Sequence, residues 1–277
     1  MTGRAHTGFP FCRLRVEDET MKYLVGTCGF SYPEWKGVFY PPHLRSDAFL
    51  AFYASVFPAV EIDSTFYRMP TREWMRDLRN RSGCDLLFSV KAPLLLTHRI
   101  GDWEKDACLF RAAIEPLLET SSLSAVLFQF PQSFHYTPEN RIYLSRLLAL
   151  FPDFPSVVEF RSGMWMRQRV YEGLAERKAG ICMSDMPSMR GVPVFDSVVT
   201  GTIGYVRFHG RNAAAWYGGD RAARYDYLYD DTELASFVSR IREMGKSAET
   251  VHLFFNNHPQ GKATINARTM MDLLRKP

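Results

Sequence analysis

Short apolar runs in this chain end on polar residues: Thr27, Glu61, Lys91, Gln129, Glu159, Asp185, Arg207 and Asn256. Their side chains are of types that do chemistry. Glu61 and Glu159 could act as a general acid and base, which requires two carboxyls in different surroundings. They could equally be counter-ions to Lys91, Arg161 and Arg207. Lys91 can form a Schiff base if desolvation lowers its pKa, or it can be an ion-pair partner. His209, two residues beyond Arg207, would suit binding an oxyanion and shuttling a proton; the alternative is a core histidine with satisfied nitrogens. Asn256 and Asn257 can donate to and accept from a polar ligand, or serve the turn before His258-Pro259.

These residues need a frame. The runs Tyr23–Thr27, Ala59–Asp63, Leu86–Lys91, Ala125–Gln129, Ser156–Glu159, Gly180–Asp185, Gly204–His209 and Val251–Asn256 are apolar on both faces, the pattern of buried parallel strands. Between them, apolar spacing predicts helices over Asp47–Phe57, Arg72–Asn80 capped by Thr71, Trp103–Glu119 and Pro138–Leu150, then over Trp165–Lys178, Asp231–Gly245 and Ala263–Leu274. Pro187–Gly201, with two prolines and two glycines, reads as a loop, so the crossover between strands 6 and 7 lacks a regular helix. Thr27 and Asn256 stand 229 positions apart. Seven steps of about 33 residues match a βα unit. The expected fold is an α/β TIM barrel, (β/α)8, because no Gly-rich first turn supports an open doubly wound sheet. In such a barrel the strand ends and the loops after them carry function. Period-two alternation then puts Glu61 with Asp63, Ser89 with Lys91, Glu159 with Arg161, and Arg207 with His209 on the inward face.

Composition narrows the class. The 277 residues are 46% apolar and 23% charged, which excludes disordered, collagen-like and coiled-coil chains. No run reaches 18 uncharged apolar residues, so no membrane span is expected. A net charge of +4 permits an anionic ligand without demanding one. The five cysteines are scattered, with no C-x-x-C, and point to a reducing cytoplasm. Met1 to Thr20 lacks periodicity and has no apolar core of a secretory signal. It reads as a disordered extension, or as sequence ahead of the true start at Met21, with residues 21–277 forming a single barrel domain.

Several stretches also resemble a known family: Val25–Trp35, Phe39-Tyr-Pro-Pro42, Val60–Tyr67, Phe88–Pro93, Thr97-His98, Leu127–Pro131, Val158–Arg161, Tyr205–Gly210 and Phe254–Asn257. In this order they resemble the YecE-like family, domain of unknown function 72, from about Lys22 to the C-terminus. The resemblance implies a TIM barrel and a cytosolic bacterial-type protein, and adds His98 to the candidate residues. It implies no defined reaction. Arg211 to Asp230, with Trp216-Tyr-Gly-Gly219 and three further tyrosines, departs from the family's pattern.

The leading expectation is an enzyme acting on a small anionic or sugar-like substrate at the barrel mouth, by hydrolase, isomerase or lyase chemistry. Glu61, Lys91, Glu159, Asp185 and His209 are the candidate catalytic residues. Thr27, Trp35, Tyr67, His98, Gln129, Arg161, Arg207, Asn256 and Asn257 are the candidate substrate contacts. The loop aromatics Trp35, Tyr40, Phe66, Tyr67, Trp216 and Tyr217 would stack a sugar or base, or pack the loops down. No resident cofactor is expected. The alternatives are a zinc- or manganese-dependent nuclease of the abasic-site type, using Glu61, Glu159, Asp185 and His209, and a non-catalytic barrel that binds nucleic acid or a metabolite.

Overall fold

The computed structural model describes residues 22–276 apart from 84, 217, 219 and 220. The expected extension Met1–Thr20, the start at Met21, and Tyr217 lie outside the described residues. Eight strands follow one another: β1 (Tyr23–Thr27), β2 (Ala59–Ile62), β3 (Leu87–Lys91), β4 (Leu123–Phe130), β5 (Ser156–Phe160), β6 (Gly180–Asp185), β7 (Ile203–Phe208) and β8 (Thr250–Phe255). Each pairs in parallel with its neighbour from β2 to β8, and β1 returns to β8 with Tyr23 opposite Val251 and Thr27 opposite Phe255. The result is a TIM barrel.

The ring closes at its least regular place, between β1 and β2. Only a bridge from Cys28 to Glu61 joins them, with the Gly29 N–H donating to the Glu61 carbonyl at 2.7 Å. Below it the Tyr53 hydroxyl enters the seam, accepting from the Thr27 N–H at 2.8 Å and donating to the Ala59 carbonyl at 3.0 Å. These are backbone groups that a strand ladder would otherwise satisfy. A Cβ at Gly26 would fall 2.0 Å from the Ala59 carbonyl oxygen, so only glycine permits this approach.

Helices cover the outside: α1 (Phe49–Ala54), α2 (Arg72–Arg81), α3 (Trp103–Glu119), α4 (Pro138–Ala149), α5 (Gln168–Ala175), the short α6 (Arg221–Tyr225), α7 (Asp231–Ser247) and α8 (Lys262–Arg275). Their starts are readable as caps. Thr71 accepts from the Trp74 N–H, Thr137 from that of Asn140, and Asp230 forms a capping box with Glu233. The segment between β6 and β7 has no helix, as its prolines and glycines predict. Two of the boundaries that differ from expectation have a cause in side-chain packing. Gly245 lies inside α7 instead of stopping it, where a Cβ would meet the Tyr23 hydroxyl at 2.9 Å. The turn Gly163–Trp165 stands apart from α5, because the Trp165 indole is buried and donates to the Phe134 carbonyl at 2.7 Å. No helix among the described residues is long and apolar enough to cross a membrane.

Two apolar regions result. The larger lies between strands and helices; the smaller fills the bore with Leu24, Ala59, Ala125, Leu127, Val157 and Phe254 around Cys28, Cys182 and Tyr205. The bore is plugged from below, so its polar residues crowd toward the C-terminal ends of the strands.

Candidate active site at the barrel mouth

Alternation along the strands brings the charges together. Arg207 on β7 is the centre: Nη2 donates to Glu61 Oε1 and Nη1 to Glu159 Oε2, both at 2.6 Å. All three are buried. Burial alone would push the guanidinium down, but the two carboxylates outweigh it and hold it charged. Glu61 also accepts from the Tyr205 hydroxyl at 2.7 Å, itself 2.7 Å from Ser89. Glu159 accepts from Ser184 at 3.1 Å and lies 2.6 Å from Arg161 Nε. Burial pushes the Glu159 carboxyl up, but Arg161 and Arg207 together hold it well below its ordinary range.

His209 stands just beyond β7, wholly buried. Burial first, then Arg161 and Arg207, hold its pKa well down, so it is neutral. Arg161 Nη2 lies 2.8 Å from Nε2, and a guanidinium can only donate. Nε2 is therefore the acceptor and Nδ1 carries the proton. The Asn256 amide, 3.0 Å from Nδ1, must present its oxygen there.

Above this layer is a small polar cavity of about 110 Å³, lined by Asp63, Tyr67, Lys91, Gln129, Arg161, Arg207, Tyr225, Asn256 and His258. Drug-sized ligands occupy roughly 300–1,000 Å³, so the cavity suits a small molecule or the reacting end of one. Lys91 Nζ lies over the Phe66 ring, 4.1 Å from its centre. Thr65 fixes that ring's turn by donating to the Lys91 carbonyl at 2.6 Å. Burial, then Arg207, lowers the Lys91 pKa to about 8. Burial and the Glu61 charge push the Asp63 carboxyl up. His98 meets Phe66 edge-on at 4.8 Å, and burial, then Lys91 and Arg161, lowers it to about 4. A larger groove of about 680 Å³ lies outside, between α4 and α5, and holds none of the strand-end residues.

The structure thus brings together Glu61, Lys91, Gln129, Glu159, Arg161, Arg207, His209 and Asn256, with Tyr67 and His98 at the rim. Four expected site residues point elsewhere. Thr27 faces α1, where its hydroxyl meets Tyr53 at 3.0 Å. Trp35 is wholly buried in its loop and donates to the His258 carbonyl at 2.9 Å. Asp185 accepts from both sides of the Arg211 fork at 2.8 and 2.9 Å and from Tyr229 at 2.7 Å. Asn257 donates to Tyr227 and Asn266, both at 2.8 Å. Asp185 and Asn257 therefore tie down the stretch from Arg211 to Asp230, which carries Trp216 and Tyr225 over His209.

Glu61 and Glu159, the expected acid/base pair, are both forked to one guanidinium, with Tyr205 also on Glu61 and Ser184 and Arg161 also on Glu159. The metal set of Glu61, Glu159, Asp185 and His209 does not converge. Arg207 stands between the two glutamates, Asp185 faces Arg211, and Arg161 takes His209 Nε2. No group of three His, Cys, Asp or Glu among the described residues is arranged to hold a metal ion. Sequence reasoning put Asp63 on the inward face without giving it a role, and missed Tyr205, Tyr225 and His258. Tyr205 carries a signal, two residues before Arg207; Tyr225 at the end of the short α6 and His258 in the turn after β8 carry none.

A parallel barrel with an ion-paired polar mouth is a TIM-barrel protein of the kind that places its chemistry at strand ends. The family described as "Protein of unknown function DUF72" matches residues 24–277, and the chain belongs to it; the YecE-like family is the same one. The UPF0759 protein YunF of Bacillus subtilis is 32% identical, over 85% of this chain and 89% of that protein. A DUF72 family protein from Thermotoga maritima is 35% identical with a TM-score of 0.85, covering 92% of this chain and 99% of that one. One from Enterococcus faecalis is 28% identical with a TM-score of 0.81, covering 92% and 96%.

Proposed function

We propose that this DUF72 protein is an enzyme whose barrel mouth takes a small anionic or sugar-like substrate. One observation carries the reading: the carboxylates beneath the cavity are engaged by Arg207 and Arg161, while Lys91 faces the cavity with no ion pair within 4.0 Å among the described residues. A desolvated cation without a counter-ion favours an anionic or strongly polarised group beside it. Arg161 adds a second cation to the wall; Gln129 and Asn256 supply hydrogen bonds suited to hydroxyls. Glu61 and Glu159 hold and orient the arginines, leaving Lys91, Asp63 and His98 to meet the substrate. The free thiols Cys28, Cys108 and Cys182 suit a cytoplasmic setting.

Thermal melting with phosphorylated sugars and sugar acids tests this. A ligand at a hundred times its Kd adds about 2.7 kcal/mol of stability, which is a Tm rise of about 5–10 °C at this size. The rise should vanish in Lys91→Met and persist in Arg177→Ala, on the outer groove. Equal rises in Lys91→Met and the native chain would overturn the reading, as would none across the panel. A ligand that binds and is returned unchanged would make the barrel a binding module.

A further inference from the structure

Lys91 differs from the other cations of the mouth. Arg207 is held by two carboxylates and Arg161 by one, each at 2.6 Å. The Lys91 amine instead lies against the Phe66 ring and is the sole primary amine on the cavity wall among the described residues. A lysine used only for charge would be better served by a carboxylate at its tip, yet Glu61 on the neighbouring β2 and Glu159 on β5 are committed to Arg207. Arg207, Glu159, Glu61, Asp63 and His98 all act on it electrostatically, without a carboxylate among them binding its proton in an ion pair.

We propose that Lys91 is a nucleophile that forms a Schiff base with a small carbonyl compound bearing a carboxylate or phosphate. This rests on the reading of the mouth as a small-anion site and names its substrate class. The uncharged amine adds its lone pair to the carbonyl carbon, and the π pair moves to oxygen. A proton passes from nitrogen to that oxygen, giving a carbinolamine. A second proton lets the hydroxyl leave as water while the nitrogen lone pair closes the C=N bond, leaving a protonated imine. No oxidant or reductant is needed. Asp63, on the cavity wall, is the group placed to carry these protons, and Arg161, on the same wall, is the cation for the anionic substituent. With a pKa of about 8, roughly a tenth of Lys91 is free amine at pH 7. The protonated imine keeps one positive charge on the Lys91 nitrogen, which the anionic substituent of the substrate then offsets.

The test incubates the full chain with pyruvate or dihydroxyacetone phosphate and cyanoborohydride, then maps reduced adducts over its eight lysines by peptide mass. Lactate and glycerol 3-phosphate serve as carbonyl-free counterparts, and thermal melting is read in parallel. The expected result is an adduct at Lys91 about tenfold or more above any other lysine, as its lower pKa dictates, and suppressed by the matching counterpart. Whichever compound labels it tells an oxo acid from a keto phosphate. In Lys91→Arg the adduct should be lost while the counterpart still raises Tm. Tm rises without a Lys91 adduct would overturn the Schiff base and leave the anion site standing. Neither rise nor adduct would overturn both. Adducts spread evenly over the lysines would also overturn the proposal. If Lys91→Arg does not fold, saturation and suppression in the native chain decide.

Discussion

At the scale of single residues, the mouth separates groups that hold from groups that act. Lys91 is the clearest case of the second kind, and holding it costs stability. Its pKa falls from 10.5 to about 8, through burial and then Arg207. Below pH 8 both folded and unfolded chains bind the proton, and the cost is fully present. Between about pH 8 and 10.5 only the unfolded chain retains it, so stability rises with pH across that window. Lys91→Met should therefore be more stable than the native chain at pH 7 by about 1–3 kcal/mol, with the gap closing by pH 10.5. Urea unfolding at several pH values reads this directly; a Met variant less stable at pH 7 would contradict it. Arg207 is of the first kind. Arg207→Met strands two wholly buried carboxylates and should cost about 3–5 kcal/mol, seen by calorimetry as a Tm drop of about 6–20 °C. A loss under about 1 kcal/mol would mean that the glutamates are not held as described. Both roles stood among the alternatives that the sequence offered, and the sequence did not choose between them. The sequence displayed Glu61, Lys91, Glu159 and Arg207 as strand-end charges, but which carboxylate meets which cation is decided by strands far apart in the chain.

At the scale of elements, legibility followed the physics that is local. The cap at Thr71 and the apolar periodicity of α3 and α7 need only neighbouring residues, and those helices start where expected. Gly245 is different: its meaning comes from the Tyr23 hydroxyl, more than two hundred residues away. The inward set was legible by period-two alternation, yet Thr27 was misread because Cys28, one residue later, faces the bore. That single step points Thr27 at α1 and at Tyr53. The Tyr53 hydroxyl satisfies one donor and one acceptor at the β1/β2 seam, so Tyr53→Phe should cost about 1–3 kcal/mol. Hydrogen exchange should show the Thr27 amide opening earlier than in the native chain; unchanged protection there would show that the strands pair without the hydroxyl.

At the scale of the whole molecule, eight apolar runs separated by stretches long enough for a crossover were enough to announce the barrel, since parallel strands need such connections. The cover over the mouth was not legible. Arg211 to Asp230 has no periodicity, and its path is set by Asp185, Asn257 and Asn266, which belong to three other elements. The ring itself has a consequence for how the chain comes into being. β1 leaves the ribosome more than two hundred residues ahead of its ladder partner, residues 250–255. Throughout synthesis β1 presents an unpaired side, and the growing sheet always ends in an open strand, the condition that invites wrong pairing. The weakly tied seam with β2 is all that shelters the first strand until the eighth arrives, so the barrel is finished by its last stave.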